Sequence, residues 1–202
     1  MKFTMHSNRL RVILPLLAVF VVASGCAGRL HQKSVMDVTP SWYATAKPLN
    51  KDKAAAFLNG RGAASSASQQ IAIDMAKMSA MTDLGRTIDA QFSGLAKQAV
   101  EQVGAGRDAE TVQHFSLATK VVMADVDVSG TSIGQQLLTQ VDGQYYAWIL
   151  LEYPVAEANR KFISDLKARR NTYERFRATQ LYDEMNKEID AYRKFQSQQV
   201  PR

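Results

Sequence analysis

The chain has a single cysteine, Cys26, and three histidines in 202 residues. One cysteine cannot form an intramolecular disulfide. No Cys cluster, His-x-x-x-His or Glu-x-x-His spacing occurs, so the sequence supplies no recognisable ligand set for zinc or for a pair of metal ions. Ser65, Ser66 and Ser68 lie where helix caps belong, and none of them is part of the Gly-x-Ser-x-Gly motif of many hydrolases. We therefore expect no enzymatic activity, no metal and no cofactor.

Long hydrophobic runs are also missing. The apolar stretch at residues 12–23 is about 12 residues long, whereas a membrane-spanning helix needs about 20. Lys2, Arg9 and Arg11 come before it, and no acidic residue precedes Cys26. A basic start followed by a short apolar run is typical of an export signal.

The apolar run ends in a sequence that resembles a lipobox, the recognition site of lipoprotein signal peptidase: Ala23, Ser24, Gly25 and Cys26. We expect residues 1–25 to be removed as a signal peptide and Cys26 to become the acylated, palmitate-bearing first residue of the mature protein. Several acyl chains give stable membrane anchoring. Ala27, where Asp would favour the inner membrane, favours the periplasmic face of the outer membrane. An ordinary signal peptide with a chance cysteine is the alternative.

The basic character of the chain is partly due to this leader. The formal net charge of +6 falls to +3 without the leader, because residues 1–25 carry three basic side chains. An exported protein does not normally meet nucleic acid, so we expect no nucleic-acid partner. The remaining charge is typical of a solvated surface or of weak attraction to anionic envelope polymers. The mature chain is long enough for one domain with a hydrophobic core.

Residues 26–39 are polar and without periodicity, which predicts a lipidated cysteine followed by a flexible tether. Trp42 and Tyr43 then indicate the edge of the folded domain, where we interpret them as packing anchors. Residues 54–63 predict a short strand leading into a turn. Gly60 and Gly62 lack the third glycine or the Lys-Ser/Thr of a phosphate-binding loop, so a close backbone approach or a turn explains them better.

The next segment predicts a long amphipathic helix, with serines before it as N-caps and residues 104–106 ending it. We interpret its methionines as part of the core, with a soft metal site or an adaptable groove as alternatives. The predicted apolar stripe recurs at three- and four-residue spacing: Ile71, Met75, Met78, Met81, Ile88, Phe92, Leu95, Ala99 and Val103.

Residues 108–127 predict a second helix, although Val121-Val122-Met123 and Val126-Asp127-Val128 would also suit a strand. Asp142-Gly143 lies between two runs of β-forming residues, which predicts a β-hairpin. Both faces of its second strand, residues 145–153, are apolar, so we expect both to be covered.

No proline or glycine occurs from residue 155 to residue 199, and charged residues are frequent there. This predicts a long C-terminal helix of about 65 Å. A projecting helix with an apolar stripe needs a partner, whereas a helix that bends back over its own domain does not; the sequence favours neither. In the first case, the candidate partner-binding residues are Phe162, Leu166, Tyr173, Phe176, Met185 and Tyr192.

Several short motifs occur in a particular order: Pro40-Ser41-Trp42-Tyr43, Gly60-Arg61-Gly62, Asp83-Leu84-Gly85-Arg86-Thr87-Ile88, Ser129-Gly130 and Asp142-Gly143-Gln144-Tyr145-Tyr146. Over roughly residues 40–154 this order resembles the LPP-twenty family of small bacterial lipoproteins. The resemblance implies a small α/β domain with a sheet packed on helices and no enzymatic activity. Some members of that family are structural envelope proteins around the flagellar motor. The helix that follows looks like an addition to the basic domain.

The predicted fold class is α+β, with a small sheet, made of a short strand and a C-terminal β-hairpin, packed on long amphipathic helices and followed by a long C-terminal helix. The predicted organisation is signal peptide 1–25, lipidated cysteine and tether 26–39, LPP-twenty-like domain 40–154 and C-terminal helix 155–202. We expect an outer-membrane lipoprotein with a structural or assembly role, forming a homo-oligomer or docking an envelope protein. Only the resemblance suggests a flagellar association. The alternative is a regulatory lipoprotein that binds peptidoglycan or another periplasmic partner.

Overall fold

The computed structural model describes residues 38–51, 55–106, 108–124 and 130–199. The lipobox, Cys26 and most of the tether therefore lie outside the described residues. The predicted α+β class is confirmed, including a long C-terminal helix. In chain order the elements are α1 Ser41–Thr45, β1 Leu49–Asn50, β2 Phe57–Ser66, α2 Gln69–Gln102, α3 Ala109–Ala124, β3 Ser132–Val141, β4 Gln144–Pro154, α4 Val155–Lys167, α5 Arg170–Arg177 and α6 Gln180–Gln199.

The strands form one antiparallel sheet in the order β1-β2-β4-β3. β3 and β4 are joined by the predicted two-residue turn, in which Asp142 and Gly143 both have positive φ, 50° and 78°. Positive φ at both central residues is the geometry of a type I′ turn, whose twist matches that of the strands. The hairpin prediction is confirmed.

Strand β2 is longer than the sequence predicted. It pairs with β4 over all of its ten residues, so Gly60 and Gly62 lie in the middle of the strand and not at a turn. A Cβ atom added to Gly60 would lie 2.5 Å from the Leu84 Cβ of α2, and one added to Gly62 would overlap the Ala76 carbonyl oxygen. Of the two explanations for these glycines, the turn is therefore wrong. The close backbone approach is confirmed, with α2 as the approaching element.

Helix α2 buries small residues on its first half. Ala72, Ala76 and Ala80 are fully buried, and Ala76 and Ala80 lie against the glycines of β2, whereas Ile71, Met75 and Met78 are 52%, 51% and 69% exposed. The predicted core position is wrong for these three exposed residues, because the face of α2 that approaches β2 carries the alanines; Met81 packs partly against the core. The second half of the stripe is confirmed at Ile88, Phe92 and Ala99, which are buried.

Residues 109–124 form a helix, as predicted, and the strand alternative for Val121-Val122-Met123 is wrong. Phe115, Ala118 and Val122 of α3 are buried in the core. Because α3 packs against both α2 and α4, it closes the helical layer over the sheet. The last predicted residues of this segment, 125–127, lie outside the described residues.

The C-terminal segment bends back over the domain as three helices instead of one. α4 ends at Lys167 and α5 at Arg177, and α6 remains as a long C-terminal helix of 20 residues. At the second break the Thr179 hydroxyl donates to the Phe176 carbonyl oxygen at 2.7 Å and accepts from the Tyr182 N–H at 3.2 Å. This hydroxyl ends one helix and begins the next, so no proline or glycine is needed.

Candidate interaction surfaces

The stripe predicted to bind a partner lies mostly inside the protein. Phe162, Leu166, Phe176 and Met185 are at most 2% exposed. Phe162 contacts three other aromatic rings, with its centroid 5.7 Å from that of Phe92 and about 6 Å from those of two further phenylalanines. The prediction of partner binding is wrong for these four residues, because the bend at the helix breaks places them in the domain's own core.

The two tyrosines of that stripe are half-buried and also contact their own chain. The Tyr173 and Tyr182 hydroxyl oxygens are 3.4 Å apart. The Tyr192 ring lies 6.1 Å from that of Phe195 and 6.2 Å from that of Phe57, and burial raises the pKa of the Tyr192 hydroxyl. The hydrogen bond to Tyr182 raises the pKa of Tyr173. The contact of Tyr173 with Tyr182 connects α5 to α6, and the contact of Tyr192 with Phe57 connects α6 to β2.

A polar cluster connects the start of α3 to α5. The Asp108 carboxylate accepts from the Thr111 hydroxyl at 2.7 Å and from the Arg175 guanidinium at 3.2 Å. The hydrogen bonds from Thr111 lower the pKa of Asp108. His114 Nδ1 and Thr172 Oγ1 are 2.8 Å apart. The polar side chains of this cluster hold the helices together. Among the described residues there is no cluster of three or more side chains that could ligate a metal ion.

The outer edge of the sheet is formed by β3, and no described strand pairs with that edge. Its ten residues, Ser-Ile-Gly-Gln-Gln-Leu-Leu-Thr-Gln-Val, include neither a charged residue nor a proline. Charged side chains and prolines are two of the devices that keep exposed edges from pairing with other chains. A third device, a β-bulge, is present at Gly134, between Ile133 and Gln135. The regular part of the edge is therefore residues 135–141.

The hydrogen-bonding direction of this edge follows from the neighbouring strands. The Asn59 N–H donates to the Pro48 carbonyl oxygen at 2.7 Å, on the side of β2 away from β4. Backbone groups alternate in direction along a strand. The registers of β2 with β4 and of β4 with β3 carry this alternation across the sheet. They place the backbone groups of Gln136, Leu138 and Gln140 on the outer side of β3, pointing away from the sheet. The two-residue turn requires the same pattern, because Val141 and Gln144 form its hydrogen-bonded pair.

Both faces of β3 are only partly covered. The helix α2 packs mainly on β2 and β4, and of the β3 side chains Leu138 packs against the edge of the core. Ile133 and Leu137, on opposite faces, are 50% and 36% exposed, and Gln136 and Gln140 are also exposed. The expectation that both faces of β4 are covered is confirmed, since Leu150 and Ile149 are both buried. The sheet is thus well covered at β4, whereas most side chains of β3 are exposed.

A second open surface is a groove of about 670 Å³ between α2 and α3. Its apolar part includes Phe115, whose ring is fully buried below the groove, and Val112, which is exposed. Two lysines, Lys97 and Lys120, and two acidic residues, Asp89 and Glu101, also line it. An apolar groove with a few charged residues suits a partner with an apolar segment.

The open edge was not predicted from the sequence. Its residues were correctly predicted as a strand, but the strand order that leaves β3 outermost depends on the pairing of β2 with β4, which are separated by about 80 residues of chain. The lack of charge between residues 132 and 141 was the available signal.

Within the described part of the chain, no helix has the length and apolarity needed to cross a bilayer. Comparison with family models, with curated proteins and with solved structures finds no match for this chain.

Proposed function

We propose that this protein is a lipoprotein of the cell envelope, anchored to the periplasmic face of the outer membrane through acylated Cys26, with a structural or assembly role and no catalytic activity. The leader supports the anchor. It combines basic residues, a short apolar run and Ala23-Ser24-Gly25-Cys26, and Ala27 favours the outer membrane. More than one acyl chain on Cys26 would make this attachment stable.

The observation that carries the assembly role is the open edge at β3. The polar clusters of the described domain connect its own helices, whereas β3 presents outward-pointing backbone groups on an uncharged strand. Addition of a strand to such an edge is a recurrent way for proteins to associate. A protein that is held to a membrane and carries such an edge is suited to assembling with other envelope proteins.

The anchor is tested by labelling cells with palmitate and comparing the wild-type chain with Cys26→Ala. Wild type should carry label, fractionate with outer membranes and lack residues 1–25. Cys26→Ala should carry no label and keep its leader, because lipoprotein signal peptidase cuts only before an acylated cysteine. Cleavage of both chains, with neither labelled, would instead show an ordinary signal peptide.

The flagellar version of this role rests on the resemblance to the LPP-twenty family. It predicts that the protein co-purifies with flagellar basal bodies isolated from intact cells. Presence in outer membranes together with absence from basal bodies would reject the flagellar version and leave a general envelope scaffold.

The groove between α2 and α3 favours a second candidate, a regulatory lipoprotein that binds peptidoglycan or a periplasmic partner. Lys97 and Lys120 line that groove and could bind acidic groups. A peptidoglycan binder should sediment with purified sacculi, and Lys97→Glu with Lys120→Glu should abolish sedimentation. Substitutions at Gln136 and Gln140 are the matched control, because they lie on the sheet edge and should leave sedimentation unchanged.

A further inference from the structure

We infer that β3 pairs antiparallel with β3 of a second copy of this chain, with the two-fold axis at Leu138. The two four-stranded sheets would then form one continuous sheet. This inference rests on the proposed assembly role and names the partner for its open edge.

The geometry of the edge selects this register. Only Gln136, Leu138 and Gln140 of the regular segment point their backbone groups outward. A two-fold axis at Leu138 places Leu138 opposite its own copy and each Gln136 opposite the other copy's Gln140. Moving the axis to Gln136 would bring the bulge at Gly134 into the pairing, and moving it to Gln140 would bring in the turn at Asp142. The Leu138 register is therefore the one that uses all three outward-pointing residues.

The pairing would satisfy a substantial number of polar groups. Three hydrogen-bonded residue pairs, each exchanging two bonds, give about six backbone hydrogen bonds. A typical interface has about ten direct hydrogen bonds, with wide variation. Each Gln136 side chain would also lie beside the Gln140 side chain of the other copy, at the distance of directly opposite residues. The side-chain amides can add hydrogen bonds, because an amide both donates and accepts.

The chemistry of the strand favours a second copy over an unrelated chain. Gln136 and Gln140 lie symmetrically about Leu138, so the outward-pointing segment is complementary to itself, and β3 has no charged residue from Ser132 to Val141 that would call for an opposite charge on a different chain. An isologous pairing also closes on itself, since the same edge is used on both copies. Attachment of both copies to one membrane would raise their effective concentration.

The test compares two double variants at the exposed residues Gln136 and Gln140. The first variant carries both Gln136→Lys and Gln140→Lys, so two lysine–lysine pairs lie across the interface. In Gln136→Lys with Gln140→Glu, each lysine faces a glutamate of the other copy. Within one chain the two positions are about 13 Å apart, so neither variant creates a close intrachain pair. Both positions are exposed, so both variants should fold like wild type, which circular dichroism checks.

Sedimentation equilibrium of the acylated full-length protein in density-matched detergent micelles measures the dimer. We expect wild type to dimerise, the Lys/Lys variant to have a dissociation constant raised about tenfold, and the Lys/Glu variant to stay within about threefold of wild type. A monomeric wild type would overturn the inference, and so would equal weakening of both variants. Pairing with a strand of a different protein would show as a monomeric pure protein that forms a larger complex only in envelope extracts, which also overturns it. The palmitate labelling of Cys26 is independent of these results, so a failed dimer does not imply a failed anchor.

Discussion

Replacing Gly60 by alanine tests the close packing of α2 on β2. Gly60 lies in the middle of β2, where α2 approaches so closely that an added Cβ would be 2.5 Å from both the Cβ and the backbone nitrogen of Leu84. Carbon atoms in favourable contact are about 3.5–4.0 Å apart. The helix would have to move by about 1 Å, and a backbone atom cannot rotate away as the end of a side chain can.

The expected cost follows from this displacement. Overpacking of a core costs about 1–3 kcal/mol, and we expect the upper end because backbone atoms are on both sides of the contact. For a chain of this size, 1 kcal/mol corresponds to about 2–4 °C in Tm, so Gly60→Ala should lower Tm by roughly 6–12 °C.

Gly94→Ala is the matched control, because it makes the same chemical change in the interior of α2. A Cβ added there meets nothing within 4 Å. Alanine is about 1 kcal/mol more favourable than glycine within a helix, so Tm should rise by about 2–4 °C. Thermal unfolding followed by circular dichroism measures both variants. A Tm for Gly60→Ala within 2 °C or so of wild type would refute the close packing of α2 on β2.

The other predictions concern side chains whose surroundings the structure assigns. Met185→Ala should lower the free energy of unfolding by about 2–5 kcal/mol in urea titrations, because this side chain is buried, whereas exposed Met78→Ser should change it by less than about 0.5 kcal/mol. Phe162→Ala should cost about 3–5 kcal/mol, and a loss below about 1 kcal/mol would contradict the aromatic cluster. The buried Tyr153 hydroxyl has no hydrogen-bond partner among the described residues, so Tyr153→Phe should leave stability at pH 7 unchanged or raise it by up to about 1 kcal/mol. Burial, and to a smaller extent the charge of Glu157, raise the pKa of Tyr153 in the folded protein. The unfolded tyrosine ionises first, so the wild-type protein should lose stability as the pH rises above about 10. Tyr153→Phe should lose less stability over the same pH range.

The hairpin and the extent of α2 were predictable because their signals are local. The Asp142-Gly143 turn needs positive φ at two residues, which this dipeptide tolerates better than most. The apolar spacing of α2 is likewise a property of one helix, and it ends where the first glycine after the stripe, Gly104, adopts a φ of 66°.

The choice of buried face on α2 was not predictable from hydrophobicity. Methionine and isoleucine are more apolar than alanine, yet Ala76 and Ala80 are buried and Met75 and Met78 are exposed. The glycines of β2 decide this, and the pairing of a glycine strand with an alanine face is visible only once the two elements are placed together. The signal present in the sequence was the four-residue spacing of Ala72, Ala76 and Ala80.

The helix breaks in the C-terminal segment were equally hidden. Neither Ala168 nor Ala178 is a helix breaker, and both directly follow the helices that end there. The breaks allow Phe162 and Phe176 to reach the same core, with ring centroids 6.0 Å apart. Burial of these aromatic side chains outweighs the few hydrogen bonds lost at two breaks. The error in the partner-binding prediction has the same origin, because an apolar stripe has the same pattern whether it binds its own chain or another.

The proposed assembly role is tested most directly in intact envelopes. Cells producing palmitate-labelled wild-type protein would be treated with a short amine-reactive cross-linker, and the outer membranes would then be isolated and the protein's mass determined. We expect labelled protein in the outer-membrane fraction, cross-linked into species of two or more chains, with these species reduced when Gln136 and Gln140 are both replaced by glutamate, which adds like charges but no amines. Unlabelled protein in the soluble fraction, or labelled protein that stays a single uncross-linked chain, would contradict an anchored assembly protein.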